Sequence, residues 1–260
     1  MNRVLVSIGG ITIYWYSFLI FMSILIGLYL VKKEVVKTKI DKDFIFDLIF
    51  YLIPICIFGA RIYYVVFNFK IFKNNLIDIF KIWEGGLAIY GGVLAGLIFT
   101  FFYCKKKHQN ILTTLDILAP CLVLGQAIGR WGNFFNSEAH GATTTLTHLK
   151  SLHIPNFIIN GMYINGSYYI PTFLYESLWC LLVFAILRFI IKRNKYKTEG
   201  LILCMYFILY SLGRFLIEGL RTDSLYLFSF RISQIVAILL VIIGVIGLIL
   251  IRKRNKHEKI

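Results

Sequence analysis

The sequence predicts an all-α, polytopic membrane protein with about seven transmembrane helices. Three observations carry this. The 260-residue chain is 58% hydrophobic with a mean hydropathy of +0.75, far above an ordinary soluble domain. Seven stretches approach the roughly 20 apolar residues needed to cross hydrocarbon. Basic residues also collect in alternate connections, as they do when one side of a membrane retains positive charge.

The seven stretches are 11–31, 44–67, 85–104, 111–131, 173–191, 201–220 and 232–251. The first is too long for the apolar core of a typical secretory signal, is preceded only by Arg3, and lacks a convincing small-residue cleavage site, so it is expected to be retained. No low-complexity linker, composition shift or clear internal repeat divides the chain, and residues 1–260 are expected to form one membrane domain. The only long connection expected is 132–172, a small extracytoplasmic segment between helices four and five.

Orientation follows from lysine and arginine. Lys32, Lys33, Lys37, Lys39 and Lys42 follow the first stretch, and Lys105, Lys106 and Lys107 the third. Arg188, Lys192, Arg193, Lys195 and Lys197 surround the end of the fifth; Arg252, Lys253, Arg254, Lys256 and Lys259 follow the seventh. These eighteen face seven on the other side: Arg3, Lys70, Lys73, Lys81, Lys150, Arg221 and Arg231. The N-terminus is then outside and the C-terminus cytoplasmic. The net charge of +15 reads as basic loops beside anionic lipid heads rather than as a nucleic-acid surface, and no nucleic acid is expected as a partner.

Three arginines stand apart from these clusters, within or at the edge of apolar stretches: Arg61, Arg130 and Arg214. A bare guanidinium in hydrocarbon costs about 2.5–3.5 kcal/mol on insertion scales, so each needs a partner or a ligand. Arg61 also fits snorkelling toward a helix end. Arg130 opens the densest polar run in the chain, 129–141, which holds Asn133, Asn136, Glu138, His140 and Gly141. Arginine with amides and exposed backbone suits a phosphate-bearing ligand. If 214–221 is helical, Arg214, Glu218 and Arg221 share one face. They then form either a closed ion pair that orients helices or a preorganised cation for a lipid headgroup.

Other segments leave two readings open. Tyr90, between Gly85-Gly86 and Gly91-Gly92, is either an interfacial tyrosine or a donor to a phosphate. The paired glycines permit close approach of a neighbour or ligand. Trp15-Tyr16 has the same interfacial alternative. Glu176, after Pro171, is either a helix-dipole partner or a functional carboxylate. The five cysteines show no paired or metal-like spacing and read as small hydrophobes. There is no aspartate-rich metal motif, HExxH or nucleotide-binding glycine loop, so metal-free chemistry without a cofactor is expected.

Taken together, the 129–141 run, Trp15-Tyr16, the glycine-rich 85–92, 171–176 and 214–221 resemble the prolipoprotein diacylglyceryl transferase family in content and order. The resemblance covers essentially the whole chain. It implies transfer of a diacylglyceryl group from phosphatidylglycerol to the lipobox cysteine thiol of a prolipoprotein, with glycerol phosphate released, in a bacterial plasma membrane. It implies phosphate binding by Arg130, essential roles for Tyr16, Asn133, Glu138, Arg214 and Glu218, and supporting roles for Asn136, Gly141 and Arg221. Many relatives carry histidine where this chain has Tyr90, and often where it has Ile170. Candidate bases are then Tyr90, His140 and Glu218, or the arginines stabilise the thiolate directly. The alternatives to a transferase are a transporter or flippase of an anionic lipid, against which the chain lacks duplicated halves, and another phospholipid-processing enzyme.

Overall fold

The computed structural model describes residues 3–9, 11–224, 226–228 and 230–257. In chain order the elements are β1 (Val4–Ile8), β2 (Ile11–Tyr14), α1 (Trp15–Val35), α2 (Lys42–Phe67), α3 (Phe69–Phe72), α4 (Ile89–Lys106), α5 (Ile111–Asn136), β3 (Thr143–Thr144), α6 (Leu146–Ser151), α7 (Asn156–Gly161), β4 (Tyr163–Ile164), β5 (Ser167–Tyr169), α8 (Thr172–Asn194), α9 (Leu201–Glu218), β6 (Tyr226–Leu227), β7 (Phe230–Arg231) and α10 (Ile232–His257). Lys259, counted with the C-terminal basic cluster, lies outside the described residues.

Six of these helices, α1, α2, α5, α8, α9 and α10, are long and apolar enough to cross a membrane, which makes the chain a multi-pass membrane protein. The stretch expected at 85–104 forms α4, which starts later, ends on Lys105 and Lys106, and is not among the six. The first helix begins at Trp15 rather than residue 11, because 11–14 pair with β1 in an antiparallel hairpin. The fourth stretch runs on to Asn136, so the connection expected from residue 132 starts five residues later. Phe21, Tyr29, Phe50, Phe58, Phe102 and Leu239 are exposed on these helices. In water such surface would drive association; in a bilayer it meets lipid tails.

The chain forms two compact units, Met1–Lys37 with Leu115–Ile260, and Thr38–Thr114. In the second unit α2 and α4 pack backbone to backbone through Gly59, Gly91 and Gly92; a methyl group added at Gly92 would lie 3.0 Å from the Cys56 carbonyl oxygen. Arg61 of α2 is buried. It donates to the carbonyls of Asp78 (2.6 Å), Ile79 (2.8 Å), Lys81 (3.4 Å), Gly85 (2.6 Å) and Gly86 (3.0 Å). Its fork gathers carbonyls of the two short 3₁₀ turns Leu76–Phe80 and Ile82–Glu84 and of the residues around them, of which the Asp78 carbonyl also accepts from the Lys81 N–H. Snorkelling is therefore not its role. Gly85 and Gly86 have φ of +92° and +69°, so this glycine pair serves the turn, and a side chain at Gly86 would meet Arg61 and Tyr64.

In the first unit α9 packs on α8 and α10. Asp116 of α5, 1% exposed, accepts from the backbone N–H groups of Gly200 (2.7 Å) and Leu203 (2.8 Å), and so caps α9 from another helix. Glu34 at the end of α1, equally buried, is paired with Lys37 and Arg188 and accepts from the Tyr196 hydroxyl. Burial and the charge of Glu34 push the Tyr196 hydroxyl above the usual phenol range. The 137–171 connection folds onto α5 and α8 through an apolar cluster of Phe134, Leu149, Ile154, Ile158, Ile159, Met162 and Phe173. A three-stranded sheet, β3-β5-β4, ties its ends together, with Thr143 opposite Tyr169 and Tyr163 opposite Tyr168.

Candidate functional site

The polar run is built on the last turns of α5. Arg130 and Asn133 are three residues apart and face each other, Arg130 Nη1 donating to Asn133 Oδ1 at 3.3 Å. The helix ends at Asn136, and Ser137 and Ala139 both take φ of +56°, which turns the chain back on itself. Left-handed non-glycine residues are strained by about 1–2 kcal/mol each. Hydrogen bonds offset this: the Glu138 N–H donates to the Asn133 carbonyl (3.0 Å), while Asn133 Nδ2 (2.9 Å) and Asn136 Nδ2 (3.2 Å) both donate to Glu138 Oε1. Asn133 thus links Glu138 to Arg130.

Arg214, near the end of α9, comes to the same place. Its Nη2 pairs with Glu218 Oε2 at 2.6 Å and reaches Ser233 Oγ at 3.4 Å; its Nη1 pairs with Glu176 Oε1. Arg130 Nη2 meets that same Glu176 oxygen at 3.0 Å. Glu176 and Glu218 are 3% and 1% exposed, so the cluster is shielded from water and its electrostatics are strong. Arg231 Nη1 donates to the Glu218 carbonyl and closes the C-terminal end of α9. Glu176 is the residue that sequence reasoning undervalued. Its signal was a carboxylate inside an apolar helix, which is expensive unless partnered.

Tyr16, 39% exposed, lies with its ring against Gly132, where a side chain would overlap it, and Trp15 stacks on Phe135 at 4.6 Å. The start of α1 is therefore locked to the same end of α5. Gly141 pairs with Arg221 in an isolated antiparallel bridge, and its N–H donates to the Ile170 carbonyl at 2.9 Å. A Cβ there would come within 2.9 Å of both Ile170 Cβ and the Leu220 carbonyl oxygen, so glycine is required by close approach. His140 sets its ring 4.1 Å from Tyr169, and its carbonyl accepts from Thr222.

Arg221 departs from the sequence expectation. The helix ends at Glu218, and Arg221 does not share its face with Arg214. It makes a two-pronged pair with Asp223, Nε to Oδ1 at 3.0 Å and Nη2 to Oδ2 at 2.9 Å. Burial works to raise the Asp223 carboxyl, but the Arg221 guanidinium outweighs it and holds the group below the usual carboxylate range. Tyr90 belongs to the Thr38–Thr114 unit, in the first turn of α4. It is 37% exposed, and its hydroxyl has no partner among the described residues. Among those residues no three His, Cys, Asp or Glu side chains gather as a metal site requires.

The structure thus gathers Arg130, Asn133, Asn136, Glu138, Arg214 and Glu218 with Glu176, and it supports them through Tyr16, Gly141 and Arg221. Two guanidinium groups that reach one carboxylate oxygen can both address a single phosphate group. The prolipoprotein diacylglyceryl transferase family matches residues 3–250. Three relatives, each named phosphatidylglycerol–prolipoprotein diacylglyceryl transferase, are similar over nearly their whole length. That of Listeria monocytogenes serotype 4b is 48% identical across 99% of this chain and 92% of its own. That of Ligilactobacillus salivarius is 45% identical across 98% and 94%, and that of Clostridium perfringens 44% across 100% and 98%. On this match, with its arginine-rich cluster set in apolar helices, the chain belongs to the prolipoprotein diacylglyceryl transferase family of membrane transferases.

Proposed function

We propose that this enzyme transfers the diacylglyceryl group of phosphatidylglycerol to the lipobox cysteine of prolipoproteins, the first step of bacterial lipoprotein maturation. The relatives' names specify both substrates. The observation that carries the reading is the convergence of Arg130 and Arg214 on one carboxylate oxygen inside a membrane protein. A carbon–sulfur bond forms at the glycerol carbon as its bond to the phosphate oxygen breaks, and the thiol proton is lost to a base. The leaving phosphate goes from one negative charge toward two. Groups that bind the second charge better than the first lower the barrier.

Arg130 and Arg214 hold the phosphate in this reading. Glu218 fixes Arg214, and Asn133 with Glu138 fixes Arg130. Asn136 and Gly141 shape the same turn, and Tyr16 and Arg221 buttress it. The cysteine thiol, with a reference pKa near 8.5, ionises more readily beside the arginines. By the family resemblance Tyr90 is assigned a part in the reaction; Tyr90→Phe is expected to impair transfer, and full activity would leave Tyr90 as a packing residue. The whole chain acts as one transferase domain in the bacterial plasma membrane, crossing it seven times with α4 included. Its N-terminus is outside, its C-terminus is cytoplasmic, and the 137–171 connection is extracytoplasmic.

The test is transfer by purified protein in detergent, with phosphatidylglycerol and a lipobox peptide carrying either cysteine or serine. Glycerol phosphate release and peptide mass are followed together. Release that requires the cysteine and disappears in Arg130→Ala is expected. No mass gain from folded protein would sink the proposal and favour movement of an anionic lipid instead.

A further inference from the structure

Arg130 and Arg214 come from different helices and have separate second partners. Arg130 Nη1 has the Asn133 amide, and Arg214 Nη2 has Glu218 and Ser233. Glu176 Oε1 is where they meet. Glu218 already supplies Arg214 with a buried counter-ion at 2.6 Å on its own helix, so Glu176 is not needed to neutralise it. The two arginines and the two carboxylates sum to zero charge. An anion that bridges both arginines at their meeting point competes with Glu176 for it.

We propose that Glu176 is an exchangeable counter-ion of the phosphate site, a positioning residue that acts through Arg130 and Arg214. It holds the two guanidinium groups together between turnovers, yields to the phosphodiester of the lipid, and returns to displace the product. This role rests on the transferase reading above. The lipid phosphodiester carries one negative charge. The glycerol phosphate product carries close to two at neutral pH, because the second phosphate pKa is about 6. Repulsion from a nearby carboxylate scales with ligand charge, so Glu176 disfavours product more than substrate. Arginines strong enough to stabilise a departing dianion would otherwise retain it, and the shared carboxylate offsets that cost. The displaced side chain stays inside the cluster, since Glu176 is 3% exposed on the first turns of α8.

A merely structural role gives the opposite sign. If Glu176 only held the arginines in place, its loss would scatter them and weaken phosphate binding. If it competes with phosphate, its loss strengthens binding. Glu176→Gln keeps the size of the side chain and removes the charge. Glu176→Asp keeps the charge and withdraws it by one methylene from both guanidinium groups.

The experiment measures glycerol phosphate binding to the detergent-purified protein by calorimetry, for wild type, Glu176→Asp and Glu176→Gln. In parallel, the KM for phosphatidylglycerol, kcat, and inhibition by added glycerol phosphate are determined with the lipobox peptide. Glycerol phosphate affinity should rise in the order wild type, Asp, Gln. The Gln variant should gain about tenfold, roughly 1.4 kcal/mol, while its KM for lipid falls only about threefold. Successive turnovers should slow as product is retained, and added glycerol phosphate should inhibit at lower concentration. Unchanged or weaker product binding in the folded Gln variant overturns the proposal. Should that variant fail to fold, unchanged or weaker binding in the Asp variant overturns it equally. The binding arm is independent of turnover: absence of transfer by wild type would refute the transferase reading, while the affinity order still decides whether Glu176 competes with phosphate.

Discussion

Replacing Arg214 by alanine removes one of the two cations on which the phosphate chemistry depends. The substitution leaves Glu176 and Glu218 buried at 3% and 1% exposure with Arg130 as the remaining guanidinium, 3.0 Å from Glu176. The set of Arg130, Arg214, Glu176 and Glu218 then carries a net charge of −1 where it carried zero, and the phosphodiester must approach it with its own negative charge. One unit of charge at about 4 Å is worth roughly 4 kcal/mol at the effective dielectric of a protein site, an upper limit once side chains and water relax. Loss of a single preorganised donor to a developing oxyanion costs about 10²–10³-fold in kcat. A fall of 10²–10³ in kcat/KM for phosphatidylglycerol is therefore expected, about 2.7–4 kcal/mol of transition-state stabilisation. Arg214→Lys should fall between, because an ammonium restores the charge but cannot span Glu176, Glu218 and Ser233 as the fork does. The assay is steady-state transfer with lipid varied, on protein whose elution and melting match wild type. Arg214→Ala within threefold of wild type would refute the assignment.

Three further outcomes follow from other parts of the fold. Arg61→Ala should lower thermal stability and speed amide exchange across 76–88, since five carbonyls lose a charged donor; unchanged exchange there would contradict the role of the guanidinium. Asp116→Ala should destabilise the protein by about 1–3 kcal/mol by removing the acceptor of the buried Gly200 N–H and the half-buried Leu203 N–H, and hydrogen exchange at those two amides would report it. Asp223, held below the ordinary carboxylate range in the folded state, contributes stability above its unfolded pKa of about 3.9, and that contribution is lost as pH falls through its depressed folded value. Protection of 219–224 should therefore hold from neutral pH down to about 4 and decline only below it. In Asp223→Asn that acid-dependent decline should disappear; an unaltered decline would assign it to another group.

Much of the site was legible because ionisable residues in apolar stretches are conspicuous. Arg130, Asn133, Asn136 and Glu138 stood out as one run, and the structure joins them by direct hydrogen bonds. Arg214 and Glu218 were readable as a pair from helical spacing alone, and they meet at 2.6 Å. Arg221 was misplaced because the same spacing argument assumed a helix beyond Glu218, where the chain instead turns and bridges to Gly141. Arg61 looked like the other lone arginines, but its partners are backbone carbonyls, which every residue carries and no side-chain pattern reveals.

The sequence by itself determined that this chain lives in a membrane, roughly where its helices run, and which polar residues could not be idle there. Hydrocarbon imposes those answers locally, since about twenty apolar residues make a span and an isolated charge within one is costly. Only the tertiary structure decided that Glu176 of α8 stands between Arg130 of α5 and Arg214 of α9, and that Asp116 caps α9. Those pairings join residues 38–87 positions apart. They depend on how helices rotate and settle against one another, and packing at small residues such as Gly213, pressed against the Trp179 ring, sets that rotation.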